Sequence, residues 1–265
     1  MSDAKFGVIL PAAGRSRRFG LGDKLSQDLG GRPLLLRTVE LFTRRDDVGA
    51  IVVAAPPDEL DEFRQRFGTQ LGFHGARIVA GGTIERWETV RNALDAVPAD
   101  CTHIAVHDAA RPAASEELIQ RVFDAARVHD AVIPGDPVTS TLKRVSEEVV
   151  DAEEEDAVAD LILGDFADAT KIKGRRVTGT VPREHLVAVQ TPQVFEIGLL
   201  RRAYAQPDLS GATDDAGLVE RLGEKVLVVD GEFRNLKITV PDDLSLMRTM
   251  LGMKSPEGRP VHKRF

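Results

Sequence analysis

Cysteine is almost absent from this 265-residue chain, in which Cys101 is the single example. One cysteine cannot form a disulfide within the chain, and it cannot supply a cluster of thiolates to a metal ion. The sequence therefore excludes a disulfide-stapled framework and a cysteine-rich metal site.

The chain also lacks a long apolar run and an excess of basic residues. No hydrophobic segment approaches the length of a membrane span, and residues 1–5 are too short and polar a stretch for a signal peptide. The formal net charge is −7, whereas a general nucleic-acid-binding protein carries a basic surplus. We expect a soluble cytoplasmic protein that binds neither nucleic acid nor a membrane.

Hydrophobic residues, at 42%, are sufficient for a sizeable core, and their pattern alternates between strands and helices. Continuous apolar runs such as 50–54 are typical of buried parallel strands, and amphipathic stretches such as 33–42 indicate helices. The predicted strands are 5–10, 50–54, 77–80, 103–107, 130–133 and 225–229, and the predicted helices are 33–42, 58–67, 85–97, 115–128, 199–204 and 241–250. This alternation predicts an α/β fold with a mainly parallel sheet and helices on both faces.

The most informative stretch is 8–20, followed by Lys24. An apolar run ends at Pro11, and Ala12, Ala13 and Gly14 then offer backbone N–H groups that a ligand can approach closely. Clustered cations come next, namely Arg15, Arg17, Arg18 and Lys24. Small residues and cations after a strand suit a polyphosphate. The glycines match neither the P-loop nor the GxGxxG pattern, and the spacing alone also fits a turn with solvated arginines.

A second motif, HDAARP at 107–112, follows another predicted strand at the same edge of the sheet, where ligands bind in open α/β folds. Asp108 is suited to hold a divalent metal ion that bridges phosphates, and Arg111 is suited to pair with a substrate phosphate. The alternative is an Asp108–Arg111 ion pair that fixes the loop. We expect His107 to be a hydrogen-bonded core residue rather than a base.

The Gly81-Gly82 turn ends a third predicted strand and, with Arg86 and Thr89, could receive a base or a ribose. Taken alone, this turn fits better a tight connection to an ordinary amphipathic helix. Lys237 lies in a polar patch at 235–239 that interrupts an expected strand. Its side chain would either extend to solvent or point at an anion.

Taken together, these motifs resemble the 2-C-methyl-D-erythritol 4-phosphate cytidylyltransferase family of the non-mevalonate isoprenoid pathway. The resemblance rests, in chain order, on PAAG with Arg17, Arg18 and Lys24, on Gly81-Gly82 with Arg86 and Thr89, on HDAARP, on Pro137-Val138 with Thr141-Leu142-Lys143, on TPQ at 191–193, on Thr213-Asp214 and on 235–239. The match spans 8–244. HDAARP and TPQ are specific in combination, whereas PAAG is shared with many sugar nucleotidyltransferases.

The resemblance implies a Rossmann-like sheet with a protruding arm that makes a homodimer. It also implies a reaction in which a phosphate oxygen of methylerythritol phosphate attacks the α-phosphorus of CTP and pyrophosphate leaves. Mg²⁺ or another divalent cation would be the cofactor. Because no covalent intermediate is needed, catalysis would consist of positioning and electrostatic stabilisation.

By the same resemblance, four residues would be catalytic: Arg18, Lys24, Arg183 and Lys237. The substrates would be bound by Pro11, Ala12, Ala13, Gly14, Gly81, Gly82, Arg86, Thr89, Asp108, Ala109, Arg111, Thr141 and Thr213. Asp108 would also serve the metal ion of the magnesium triphosphate. The acceptor phosphate would be held by Arg111, Thr213 and Lys237 of one chain and by Thr141 and Arg183 of its partner.

The sequence departs from the family pattern at Asp23, where a proline is usual, and at Ser140 and Pro182, where aspartates are usual. The segment 144–179 is also longer than in the family. These departures leave two alternatives open: a cytidylyltransferase for another polyol phosphate, such as ribitol 5-phosphate, and a nucleotide-binding paralogue without turnover.

The resemblance covers nearly the whole chain, so we predict one nucleotidyltransferase domain over 1–251. An extended arm is predicted at about 137–185. The polar tail at 252–265 is predicted to be loose.

Overall fold

The computed structural model describes residues 4–14, 19–20, 22–152 and 172–253. They fall into two compact units, one comprising Met1–Asp136 and Val189–Phe265 and the other comprising Pro137–Ala188. The second unit begins where the sequence predicts an arm, and the function of that arm stays a prediction.

Strands and helices alternate over the first half of the chain. In order, these are β1 (Phe6–Pro11), α1 (Leu34–Thr43), β2 (Val48–Ala55), α2 (Leu60–Phe73), β3 (Ala76–Ala80), α3 (Arg86–Leu94), β4 (His103–Val106), α4 (Glu116–Ala126) and β5 (Ala131–Pro137). Two short 3-10 helices, Lys24–Ser26 and Pro57–Glu59, precede α1 and α2. The predicted elements are confirmed, with ends that shift by a few residues.

The described residues of the second unit contain short strands, β6 (Leu142–Val145), β7 (Val150–Ala152), β8 (Ile172–Gly174), β9 (Val177–Val181) and β10 (Val187–Val189), of which β10 ends in the first unit. β6 pairs with β9 and β7 with β8, both antiparallel. The chain then returns through β11 (Gln193–Glu196), α5 (Ile197–Tyr204), α6 (Asp215–Glu220), β12 (Leu227–Asp230) and α7 (Pro241–Met250).

The main sheet is mostly parallel, as predicted. Within the first unit its order is β5-β11-β4-β1-β2-β3, and β12 pairs with β5. β1 is parallel to both β2 and β4, and β11 is the antiparallel strand between β4 and β5. The carboxyl ends of β1, β3 and β4 therefore lie at one edge of the sheet.

Helices cover both faces of this sheet. Side chains along a strand alternate between faces, so Val8 and Leu10 of β1 pack into one core, whereas Ile9 packs into the other. The first core receives α1, α2, α4 and α7, and the second receives α3, α5 and α6. Over the described ranges, no helix is long and apolar enough to cross a membrane.

Candidate active site

A cavity of about 860 Å³ opens at the carboxyl edge of the main sheet. It is lined by 11–14 after β1, by Lys24 and Leu25, by 82–86 and Thr89 after β3, by 108–110 after β4, and by Lys237 and Thr239. The loops that the sequence singles out separately thus surround one space.

Lys24 reaches this cavity from the 3-10 helix Lys24–Ser26. The carboxylate of Asp23 caps that helix by accepting from the backbone N–H of Leu25 at 3.0 Å, and the Leu25 side chain is buried. Lys24 Nζ donates to the carbonyl oxygen of Ile238 at 3.0 Å. Asp23, which departs from the family pattern, therefore has a structural function in holding the lysine's turn.

Asp108 lies at the centre of a cluster of cations. Its Oδ2 is 3.1 Å from Arg111 Nε and 3.1 Å from Lys237 Nζ, and its Oδ1 is 3.9 Å from Arg86 Nε. Burial alone would raise the pKa of Asp108, but the charges of Lys237, Arg86 and Arg111 hold the pKa well below its usual range. The carboxylate is ionised at neutral pH, and the ion pair with Arg111 that the sequence offered as an alternative is present.

His107 is fully buried and hydrogen-bonded through both ring nitrogens, as expected for a core residue. Its Nε2 is 3.0 Å from the carbonyl oxygen of Arg111, and its Nδ1 is 3.1 Å from Thr191 Oγ1. Burial lowers the pKa of His107 to about 4, so the ring is neutral at pH 7. A carbonyl only accepts, so Nε2 carries the hydrogen and Nδ1 accepts from the threonine hydroxyl.

Thr191 of the TPQ motif connects this histidine to Asp108. Its Oγ1 also accepts from the backbone N–H of Asp108 at 3.0 Å. Thr191 of the TPQ motif therefore holds the backbone of the Asp108 loop.

The segment 235–239 is attached to the same loop. Arg111 Nη1 donates to the carbonyl oxygen of Asn235 at 2.7 Å, and the backbone N–H of Ile238 donates to the carbonyl oxygen of Ala110 at 2.9 Å. The expectation that Lys237 interrupts a strand is wrong, because these backbone groups bond to the loop instead of to the sheet. The irregular course of the segment brings Lys237 to Asp108.

The two glycines at 81–82 are required by packing. A Cβ on Gly81 would lie 2.9 Å from both Ala13 Cβ and Thr89 Cγ2, and one on Gly82 would lie 2.3 Å from Glu88 Cβ. The backbone N–H of Gly82 donates to Thr89 Oγ1 at 3.1 Å. These contacts seat the start of α3 against the loop, while the idea that a flat ring lies on the glycines stays a prediction.

Eleven of the predicted site residues line the cavity: Pro11, Ala12, Ala13, Gly14, Lys24, Gly82, Arg86, Thr89, Asp108, Ala109 and Lys237. Among the described residues, the lining does not include Gly81, Arg111 or Thr213, although Arg111 contacts Asp108 directly. Arg18 lies outside the described residues, as do Arg15 and Arg17.

Thr141 and Arg183 belong to the second unit. The β6–β9 ladder pairs Leu142 with Val181, so the two residues lie beyond the same end of it. Arg183 donates to the carbonyl oxygen of Thr139. The two predicted acceptor-binding residues are thus brought together within this unit.

Sequence reasoning missed several residues of the lining: Leu25, Thr83, Ile84, Glu85, Ala110 and Thr239. Thr239 belongs to the polar patch at 235–239, so its position next to Lys237 could have predicted that it lines the site. Asp215, which contacts Arg86, was not among the predicted site residues.

The main sheet is mostly parallel, and its carboxyl edge carries small residues, a lysine and a carboxylate surrounded by cationic side chains. These features place the protein in the class of α/β nucleotidyltransferases. The model of one family, described as 2-C-methyl-D-erythritol 4-phosphate cytidylyltransferase, matches residues 6–160 and 147–253. A relative of that name from Frankia casuarinae is 41% identical over 258 residues, which cover 97% of this chain and 85% of the relative. The chain belongs to the 2-C-methyl-D-erythritol 4-phosphate cytidylyltransferase family.

Further comparisons agree on fold and family. A Rhodococcus jostii protein of the same name is 40% identical over 255 residues, covering 95% of this chain and 98% of that one. The crystal structure of the Thermus thermophilus enzyme is 31% identical with a TM-score of 0.67, and the alignment covers 93% of this chain and 98% of that one. The 4-diphosphocytidyl-2C-methyl-D-erythritol synthase structure from Anaerococcus prevotii is 26% identical with a TM-score of 0.71, and the alignment covers 95% of this chain and 100% of that one.

Proposed function

We propose that this chain transfers the cytidylyl group of CTP to 2-C-methyl-D-erythritol 4-phosphate and releases pyrophosphate, in isoprenoid precursor synthesis. The observation that carries the proposal is a match to the family model from residue 6 to residue 253, within which residues of PAAG, the Gly81-Gly82 turn, HDAARP and 235–239 line one cavity. The departures at Ser140 and Pro182 lie in the second unit, whereas the departure at Asp23 directly precedes the cavity residue Lys24.

The chemistry needs no protein nucleophile. An oxygen of the acceptor phosphate forms a bond to the α-phosphorus of CTP while the bond to the β-phosphate oxygen breaks and pyrophosphate leaves with that electron pair. The backbone at 11–14 would hold the phosphates, and Lys24 would stabilise the charge that develops on the α-phosphoryl group. Arg18 would share that function.

The cluster around Asp108 suits an anionic acceptor. Arg86, Arg111 and Lys237 carry three positive charges, against which the carboxylates of Asp108 and Asp215 set two negative ones, so one positive charge remains. The Lys237 side chain is 40% exposed, which leaves it accessible to a ligand. Lys237 and Arg111 would therefore exchange part of their contact with Asp108 for the acceptor phosphate.

A divalent cation fits the donor set of this site. Among the described residues there is no group of three or more histidine, cysteine, aspartate or glutamate side chains that could hold a metal ion alone. Magnesium is commonly bound through one or two carboxylates together with substrate phosphates, and Asp108 supplies such a carboxylate at the cavity. A bound Mg²⁺ would neutralise phosphate charge on the triphosphate.

The enzyme is further proposed to be a cytoplasmic homodimer in which the second unit serves as the arm. The support is the juxtaposition of Thr141 and Arg183 at one end of the β6–β9 ladder, since both would bind the acceptor phosphate in the partner's site. Mixing inactive Lys24→Ala and Arg183→Ala proteins tests this after subunit exchange has been verified. Mixed dimers regain one intact site, so partial activity should return, and no recovery would contradict the shared pocket.

The activity itself is tested by pyrophosphate release from CTP with Mg²⁺ and methylerythritol phosphate. Parallel reactions contain ribitol 5-phosphate or no acceptor, and further ones replace CTP by ATP or GTP. Release that needs both CTP and methylerythritol phosphate is the expected result. Release only with ribitol 5-phosphate would support a cytidylyltransferase for another polyol phosphate. No release with any acceptor would support a nucleotide-binding paralogue without turnover.

A further inference from the structure

The guanidinium of Arg86 is anchored on the side away from Asp108. Its Nη2 donates to Asp215 Oδ2 at 2.8 Å, whereas its Nε is 3.9 Å from Asp108 Oδ1, beyond hydrogen-bond range. Arg86 itself lines the cavity. The contact that fixes its position is therefore the one with Asp215.

Asp215 is in turn held from several directions. Its side chain is 0% exposed, its Oδ1 accepts from the hydroxyl of Tyr204, and its backbone N–H donates to Gln193 Oε1 at 3.2 Å. Asp214 caps the same helix by accepting from the backbone N–H of Gly217 at 3.0 Å. The carboxylate is thus a rigid buried anion at the start of α6.

We propose that Asp215 is a positioning residue of the cytidylyltransferase, and that with the Tyr204 hydroxyl it fixes the Arg86 guanidinium on the cavity wall for binding the nucleotide. A buried ion pair contributes little net stability compared with apolar packing, but it fixes an orientation. This inference rests on the proposed function. Its kinetic test needs that activity, whereas its spectroscopic test needs only the contacts among Arg86, Asp215 and Tyr204.

Removing the charge of Asp215 should redirect Arg86. An asparagine can still accept from Tyr204 but no longer neutralises the guanidinium, whose other carboxylate partner among the described residues is Asp108. Arg86 would then move toward Asp108 and compete with Lys237 for that carboxylate. Nucleotide binding would suffer through Arg86 without any change in a residue that lines the cavity.

The kinetic test compares Asp215→Asn, Arg86→Gln and the double variant by kcat/KM for CTP, at a temperature where all are folded. Each single variant should lose about 10- to 100-fold, by analogy with groups that orient metal ligands. The double variant should lose no more than Arg86→Gln alone, because Asp215 acts through Arg86. Losses that multiply, or unchanged kcat/KM in Asp215→Asn, would overturn the proposal.

Gln206→Ala provides the matched structural control. Gln206 Nε2 donates to the carbonyl oxygens of Ala203 at 2.8 Å and Leu218 at 2.8 Å, so it joins α5 to α6 without touching Arg86. This variant should lower the thermal midpoint and leave kcat/KM for CTP unchanged. A loss in kcat/KM equal to that of Asp215→Asn would assign the effect to loosening of α6.

The second test does not depend on turnover. Tyr204 is the only tyrosine, so tyrosinate absorbance follows its titration alone. Burial and the neighbouring charge of Asp215 raise the pKa of Tyr204 well above its ordinary value, while Arg86 lowers it. Asp215→Asn should therefore lower this pKa and Arg86→Gln should raise it, and an unchanged titration in both would refute the network even if CTP is not a substrate.

Discussion

Replacing Thr191 by valine should destabilise the protein and displace the Asp108 loop. Valine keeps the shape of threonine but removes the hydroxyl that accepts from the backbone N–H of Asp108 at 3.0 Å and bonds His107 Nδ1 at 3.1 Å. Both partners are buried, so no water replaces the lost bonds. Asp108 is thereby freed from the contact that sets its place in the cavity.

The magnitude follows from the two groups that are left without a partner. An unsatisfied buried donor or acceptor costs about 1–3 kcal/mol, so the two together should cost about 2–6 kcal/mol. For a chain of this size that corresponds to a fall in thermal midpoint of at least about 4 °C. Thr191→Ser is the matched control, since it keeps the hydroxyl and loses one methyl group, worth about 1 kcal/mol.

The assay is urea unfolding of the wild type, Thr191→Val and Thr191→Ser, with kcat/KM for CTP measured on each folded protein. Valine should be the less stable and less active of the two variants. A valine variant as stable as the serine variant, with equal kcat/KM, would refute the argument that the TPQ threonine holds the Asp108 loop.

Three further predictions concern the lysine, a glycine and the buried histidine. Lys24→Ala should lower kcat by about 10²- to 10³-fold, a loss of about 2.7–4 kcal/mol in transition-state stabilisation, and steady-state kinetics that show only a raised KM would indicate ground-state binding instead. Gly82→Ala should lower the thermal midpoint because its Cβ would lie 2.3 Å from Glu88 Cβ, whereas the control Gly72→Ala, with nothing within 4 Å in α2, should gain up to about 1 kcal/mol. The pKa of His107 in the folded protein is about 4, below its ordinary value of about 6.5, so the unfolded chain binds a proton at a higher pH than the folded protein does. About 3 kcal/mol of the free energy of unfolding should therefore be lost as pH falls from 6.5 to 4. Urea midpoints over that range should fall more steeply for the wild type than for His107→Gln, and parallel profiles would contradict the assignment.

The regular elements were predictable because their signals are local. Leu34, Leu35, Val39 and Phe42 recur at helical spacing and are all fully buried along α1. Ser115 begins the predicted helix 115–128 and caps α4 by accepting from the backbone N–H of Leu118 at 3.0 Å. The cavity was largely predictable as well, because parallel strands bring the loops after β1, β3 and β4 to one edge.

What the sequence could not supply depends on contacts between distant segments. Lys237 was expected in a strand, but its segment bonds to a loop more than 120 residues earlier, as the separation of 124 between Arg111 and Asn235 illustrates. Asp215 is 129 residues from Arg86, and the local pattern around it shows only a helix start. The periodicity of a sequence does not indicate contacts between distant residues, so these two contacts are seen only in the three-dimensional structure.

The central claim is that this cavity joins CTP to methylerythritol phosphate, and a competition reaction tests it most directly. The enzyme receives CTP, Mg²⁺ and equal amounts of methylerythritol phosphate and ribitol 5-phosphate, and mass spectrometry identifies the products. We expect the cytidine diphosphate derivative of methylerythritol together with an equal amount of pyrophosphate. The ribitol derivative as the main product, or no cytidylylated product from an enzyme that binds CTP, would contradict the claim.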